Sequence, residues 1–263
     1  MSVGVQTWHY GLVADWWAEF SEGGDDIGFF RDVIKRCGEP VLDAGCGTGR
    51  LLLPLLRSGI DIDGSDVSED MLTWCASRAE AEGLSANLHQ QAMHELDLPR
   101  RYRTVVLCGS FGLGGTRFTD LEGLRRIHSH LEPGGTLVMD HYPPKRDSDY
   151  GEAQAGSLEL PCGWPEQGDR RRSSDGMELE LRTRLLTVDS VERTVTREIS
   201  VRKFVDGAEV ANEEYSIVIC GYSTAHVESM LEEVGFGDIR VTGALEDRPP
   251  SPLDERIVLE ASA

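Results

Sequence analysis

Val41-Leu42-Asp43-Ala44-Gly45-Cys46-Gly47-Thr48-Gly49-Arg50 decides the fold. A short apolar strand, entered through Pro40, ends on an aspartate and runs into three alternate glycines before a helix pattern begins. Glycines at 45, 47 and 49 let the backbone approach a ligand closely, in the crevice at the carboxyl ends of parallel strands. A dinucleotide fingerprint, G-x-G-x-x-G, would place its third glycine at position 50, where this chain has Arg50. Asp43 would repel a pyrophosphate and attract a cationic amino group. Asp66, about twenty residues after the first glycine, ends the next strand where a carboxylate can accept both hydroxyls of a ribose. An amino-acid-bearing nucleoside fits this set better than a nicotinamide dinucleotide.

Outward from this stretch, strand and helix patterns alternate. Strands are expected at 41–43, 61–65, 104–108 and 135–141, and helices at 49–58, 69–82 and 119–131, with Pro54 awkward inside the first. Such alternation predicts an α/β, doubly wound, mostly parallel seven-stranded sheet of Rossmann-like type. Residues 1–37, rich in helix-spaced aromatics, read as an N-terminal helical cap. The main domain then covers 38–145 and 222–263, and 146–221 form an inserted antiparallel meander or lid. Within the insertion Glu178–Val188, Arg193–Val205 and Glu209–Cys220 alternate with period two, and Asp206-Gly207 is a hairpin turn. The stretch from Pro143 to Gly176 reads as a long loop, with Arg170-Arg171-Arg172 a solvated part of it. A last helix, Thr224 to Val234, stops at Gly235 and precedes strands at 238–242 and 256–261.

Composition excludes several classes. A net charge of −20 opposes nucleic-acid binding, which rests on cationic side chains. No apolar run approaches the roughly 20 residues of a membrane-spanning helix. The start lacks a secretory pattern, and the six cysteines form no C-x-x-C pair or zinc-ligand spacing. A cytoplasmic protein with reduced thiols, no bound metal and no membrane or nucleic-acid partner is expected.

From Pro40 to about Asp140 the chain closely resembles the class I S-adenosylmethionine-dependent methyltransferases. Leu42 to Gly49 match that family's cofactor loop, Asp66 to Leu72 its ribose-binding turn, and Leu131-Glu132-Pro133-Gly134-Gly135 the turn before its fifth strand. The resemblance implies that Asp43, Ala44, Gly45, Cys46, Gly47 and Gly49 surround the methionine portion of S-adenosyl-L-methionine. It places Asp66 on the ribose, Val67 and Met71 against the adenine, and Cys108 and Gly109 beside the methionine end and the acceptor. Many relatives hold the adenine amino group with an aspartate where this chain has Ala92. The Met93 amide is expected to meet a ring nitrogen there, with Gln91 or a carbonyl replacing the carboxylate.

The implied activity is methyl transfer to nitrogen or oxygen of a small-molecule acceptor. The alternative is a catalytically silent cofactor-binding protein on the same fold. His141 and Tyr142, at the end of a strand, are the candidate catalytic residues, with His94 and His9 as weaker bases and His128 and His130 on a helix exterior. Tyr10, Trp16 and Trp17 have two readings: packing of the capping helix, or an aromatic lid attracted to the sulfonium. The meander, with Glu178, Glu180, Arg182 and Arg184 alternating, is a sheet held by charge pairs, an acceptor pocket, or a contact in a homodimer.

Overall fold

The computed structural model describes residues 7–143, 159–174 and 176–263. Residues 144–158 and 175 of the expected loop from Pro143 to Gly176 lie outside these residues. The chain divides into two compact units, one comprising residues 23–111, 117–145 and 222–263, the other residues 1–22, 112–116 and 146–221.

The larger unit holds helices α2 (Asp26–Cys37), α3 (Leu52–Arg57), α4 (Glu69–Ala81), α5 (Arg117–His130) and α6 (Thr224–Val234). Its strands are β1 (Val41–Ala44), β2 (Ile62–Asp66), β3 (Asn87–Gln90), β4 (Tyr102–Leu107), β5 (Leu131–His141), β10 (Gly237–Gly243) and β11 (Ile257–Ser262). They pair in the order β10-β11-β5-β4-β1-β2-β3. The pairs among β1 to β5 are parallel, and β11 runs antiparallel to both neighbours. The order reverses at β1 and β4, which places the crevice of a doubly wound sheet over the ends of those strands.

All four residues of β1 are buried, as a central strand covered on both faces requires. Val41 joins a core with Phe30, Val33 and Ile34 of α2, Leu52 and Leu55 of α3, and Leu72 and Cys75 of α4. Leu124 and Ile127 of α5 and Val227 and Leu231 of α6 are also fully buried. Pro54 fits after all, because α3 begins at Leu52. In the first helical turn a proline's missing N–H deprives no intrahelical carbonyl. At α4 the Ser68 hydroxyl caps the helix by accepting from Met71 N at 3.2 Å.

The smaller unit holds α1 (Gly11–Phe20) and a four-stranded antiparallel sheet, β6 (Asp169–Arg172), β7 (Glu178–Asp189), β8 (Thr194–Val205) and β9 (Ala208–Cys220). Arg170-Arg171-Arg172 is therefore an edge strand rather than a solvated loop. It pairs with β7, where Arg170 reaches Glu178 at 2.7 Å. Charge complementarity takes the place of apolar alternation there. On β7 and β8, Arg184 stands opposite Glu198 and meets it at 2.6 Å. Leu12, Val13 and Trp16 of α1 pack on Leu179, Ile199 and Val201, and each buried side chain contributes about 1.5–3 kcal/mol. No side chain of its own caps α1; Glu213 of β9 accepts from Leu12 N at 2.8 Å instead. Residues 1–37 thus part between the units, α1 with the inserted sheet and α2 with the large one.

Candidate active site

The loop after β1 is fastened to β2 by its own backbone. Gly45 N and Cys46 N both donate to the Ser65 carbonyl, at 2.7 and 2.9 Å, and Gly47 N donates to Asp66 Oδ2 at 2.9 Å. Glycines 45, 47 and 49 all have positive φ, at 80°, 53° and 84°. What surrounds them differs. A Cβ on Gly45 would lie 2.5 Å from Ser110 Cβ, and one on Gly49 would lie 2.7 Å from Cys75 Sγ. A Cβ on Gly47 would meet nothing within 4 Å. Gly45 and Gly49 are small because the protein fills their space, whereas beside Gly47 the space is open among the described residues.

Asp43 closes the strand beneath this loop. It is 2% exposed, and its Oδ2 has no hydrogen-bond partner among the described residues. Burial pushes its pKa up to about 7; Arg50 pulls against this, and Asp66 adds to it. Asp66 itself is raised by burial, against which the Ser68, Gly47 and Val67 amides act. A buried carboxylate oxygen with no partner calls for an explanation, and a cation is the group that would satisfy it.

Residues 41–135 match the family described as methyltransferase domain. The chain is 27% identical to a Geobacillus sp. (strain WCH70) protein named as a methyltransferase, over 89% of this chain and 90% of that one. It is 35% identical over 102 residues to the dTDP-3-amino-3,4,6-trideoxy-alpha-D-glucopyranose N,N-dimethyltransferase of Streptomyces venezuelae, over 38% of this chain and 41% of that one. The fold matches a solved amino pentose methyltransferase of Micromonospora echinaspora with S-adenosylmethionine bound, at a TM-score of 0.67, 17% identity and 98% coverage of both chains. Residues 41–135 thus form a methyltransferase domain, and the fold is that of the S-adenosylmethionine-dependent methyltransferases.

The ends of β4 and β5 carry a network that the sequence did not announce. Cys108 and Gly109 follow β4. Gly109 N donates to Asp140 Oδ1 at 2.6 Å, and Asp140 Oδ2 lies 2.7 Å from Arg256 Nη2. Arg256 also donates to Asp26 at 3.1 Å, and Arg50 holds Asp26 through two bonds of 2.8 and 2.9 Å. Burial alone would raise the Asp26 pKa, but the two guanidinium groups outweigh it and hold it at about 2. Cys108 Sγ accepts from Arg50 Nη2 at 3.1 Å, and burial pushes its thiol well up, so it stays protonated.

Ala92, where the resemblance places the adenine, is buried and precedes a short 3-10 turn, Met93–Glu95. The Met93 methyl lies 3.3 Å from where a Gly45 Cβ would stand, so this side chain backs the glycine loop. Gln91 is not free to replace the missing carboxylate. Its amide accepts from Asp97 N at 2.8 Å and donates to Asp97 O at 3.2 Å. Val67 is half-buried, and Met71, on α4, is fully buried.

His141 ends β5, 7% exposed, with its Nε2 2.8 Å from the Tyr222 carbonyl. A carbonyl only accepts, so Nε2 carries the hydrogen and Nδ1 the lone pair. Burial lowers the His141 pKa, against the Tyr222 carbonyl, which raises it. Tyr222 in turn donates its hydroxyl to Asp120 at 2.6 Å. Tyr142 is exposed, with the Arg256 guanidinium 5.8 Å from its ring centre. His130 is a structural link rather than an outward residue, accepting from Leu98 N at 3.0 Å. His128 packs edge-on against Phe236, and His94 lies on the turn beside Glu95. In the smaller unit His9 is held neutral by burial, with a pKa of about 4. There Tyr10 lies against Tyr215, and Trp16 is 5% exposed in the apolar core.

Proposed function

We propose that this enzyme methylates a nitrogen or oxygen of a small polar acceptor, with an amine on an amino sugar the first candidate. The observation that carries the reading is the buried Asp43 Oδ2, without a partner among the described residues, at the end of the strand that leads into the open Gly47. Asp43 would hold the cofactor's ammonium, Asp66 its ribose, and the glycine loop its methionine backbone. When bound, the cofactor supplies a methyl already activated on a sulfonium, so the protein's share is alignment and exclusion of water. An amine acceptor has one proton to shed. His141, neutral and with its Nδ1 lone pair, is the base assigned to take it. The amino-sugar choice is supported by the names of the Streptomyces and Micromonospora relatives.

The test is transfer of tritiated methyl from S-adenosylmethionine to a panel of nucleotide-linked amino sugars, free amino sugars, amino acids and phenols. Incorporation into the amino sugars with none into phenols is expected. Cofactor binding without transfer to any acceptor would favour the silent reading.

A further inference from the structure

Asp140 poses a problem. Its carboxylate is 3% exposed at the end of β5, and a buried carboxylate persists only where its partners hold it. Its partners are Arg256, which precedes β11, the amide of Gly109, which follows β4, and more distantly the Cys108 thiol, which donates to Oδ2 at 4.0 Å. Gly109 has φ 67°, and a Cβ there would meet nothing within 4 Å. Its open side is therefore like that of Gly47. The next residue, Ser110, donates its hydroxyl to the Ala44 carbonyl at 2.9 Å, and its Cβ fills the space a Gly45 side chain would need. A continuous line of contacts runs from Arg256 through Asp140, Gly109 and Ser110 to the glycine loop.

We propose that Arg256 is a positioning residue for the methionine end of the cofactor, acting through Asp140 on the Gly109 amide and through Ser110 on the loop at Ala44 and Gly45. The proposal rests on the cofactor placement given above. Arg256 need not touch the cofactor. Without its guanidinium, Asp140 stands near Asp26 as an uncompensated buried charge and takes up a proton. Gly109 then loses its anionic acceptor, and the peptide that leans on the glycine loop is released.

The experiment is calorimetry on the full chain with two probes, S-adenosylhomocysteine and adenosine. Adenosine shares the nucleoside but lacks the amino-acid tail. Arg256→Gln should weaken S-adenosylhomocysteine about tenfold, the loss of roughly one charge-assisted hydrogen bond, and leave adenosine within about twofold. Asp140→Asn, nearly isosteric, should show the same split and provides the readout should Arg256→Gln not fold. The double variant should bind no more weakly than Asp140→Asn alone. Unchanged S-adenosylhomocysteine affinity in both single variants would overturn the proposal. So would an equal loss for both probes, which marks a merely structural residue. Absence of S-adenosylhomocysteine binding in the wild-type chain would overturn the cofactor placement itself, and the proposal with it.

Discussion

Gly47 donates its amide hydrogen to Asp66 Oδ2 at 2.9 Å, so the glycine loop after one strand is held by the acidic tip of the next. The other oxygen of Asp66 accepts from Ser68 N at 2.9 Å, at the residue that caps α4. One carboxylate therefore braces both the loop and the helix start.

Asp66→Ala should consequently weaken S-adenosylhomocysteine by about 2–3 kcal/mol, through loss of charge-assisted bonds, with the fold retained. Asp66→Asn, which keeps one acceptor oxygen, should lose less. Titration calorimetry measures both, and an Asp66→Ala variant of wild-type affinity would contradict the ribose placement.

Cofactor binding should depend on pH through Asp43. Its folded pKa of about 7 stands well above the ordinary aspartate value because burial disfavours the charge. An ammonium at Oδ2 favours the carboxylate, so binding releases a proton near neutrality. Affinity should fall as pH drops below about 7, by as much as tenfold per pH unit. The sign for stability runs the other way. The folded chain binds more protons here than the unfolded chain, so the group's stabilising share is full below the unfolded pKa and is lost as pH rises to about 7. Above that pH the buried charge costs on the order of 4 kcal/mol. Asp43→Asn should therefore raise the melting temperature at pH 8 while weakening the cofactor. A variant that binds S-adenosylhomocysteine normally would remove Asp43 from the site.

The three glycines should respond differently to alanine. At Gly45 the methyl would be driven into Ser110, and overpacking plus a positive φ should cost about 2–4 kcal/mol of stability. At Gly47 no protein atom is in the way, so stability should fall by only about 1–2 kcal/mol from backbone strain. The cofactor should nonetheless lose about tenfold or more in affinity to the intruding methyl. Thermal melts and calorimetry on the pair separate the two roles, and equal effects on both quantities would refute the distinction.

What was legible in the sequence followed from local signals. The strand, glycines and acid from Val41 to Asp66 lie within one supersecondary unit, and the third-glycine position together with the charge of Asp43 argued against the dinucleotide reading. β3, with only Asn87 to Gln90 at a sheet edge, offers no apolar run to detect. β6 pairs by charge, so Arg170-Arg171-Arg172 resembles a loop until Glu178 is seen opposite. Gln91 reads as one of two stand-ins for the missing carboxylate, a backbone carbonyl being the other, because its fold-back onto Asp97 is a tertiary detail. The Asp26, Arg50, Asp140 and Arg256 network joins residues from four distant segments, and no periodicity encodes it. The aromatic run from Trp8 to Phe20 gave a helix, which the structure begins only at Gly11, and left its partner undecided.

That partner, for Trp16, is the sheet of its own unit. The indole is 5% exposed against Leu179, Ile199 and Val201, with Phe20 4.6 Å away between ring centres. Trp16→Ala should cost about 3–5 kcal/mol of stability, the range for truncating a large buried aromatic. Trp16→Phe, which refills part of the volume, should cost less. Neither should change S-adenosylhomocysteine affinity by more than about twofold at temperatures where the variant is folded, because a side chain committed to packing has no face left for a ligand. Thermal denaturation and calorimetry on the same preparations decide the matter. A Trp16→Ala variant with a wild-type melting temperature and lost cofactor binding would restore the direct ligand role that the family resemblance implied.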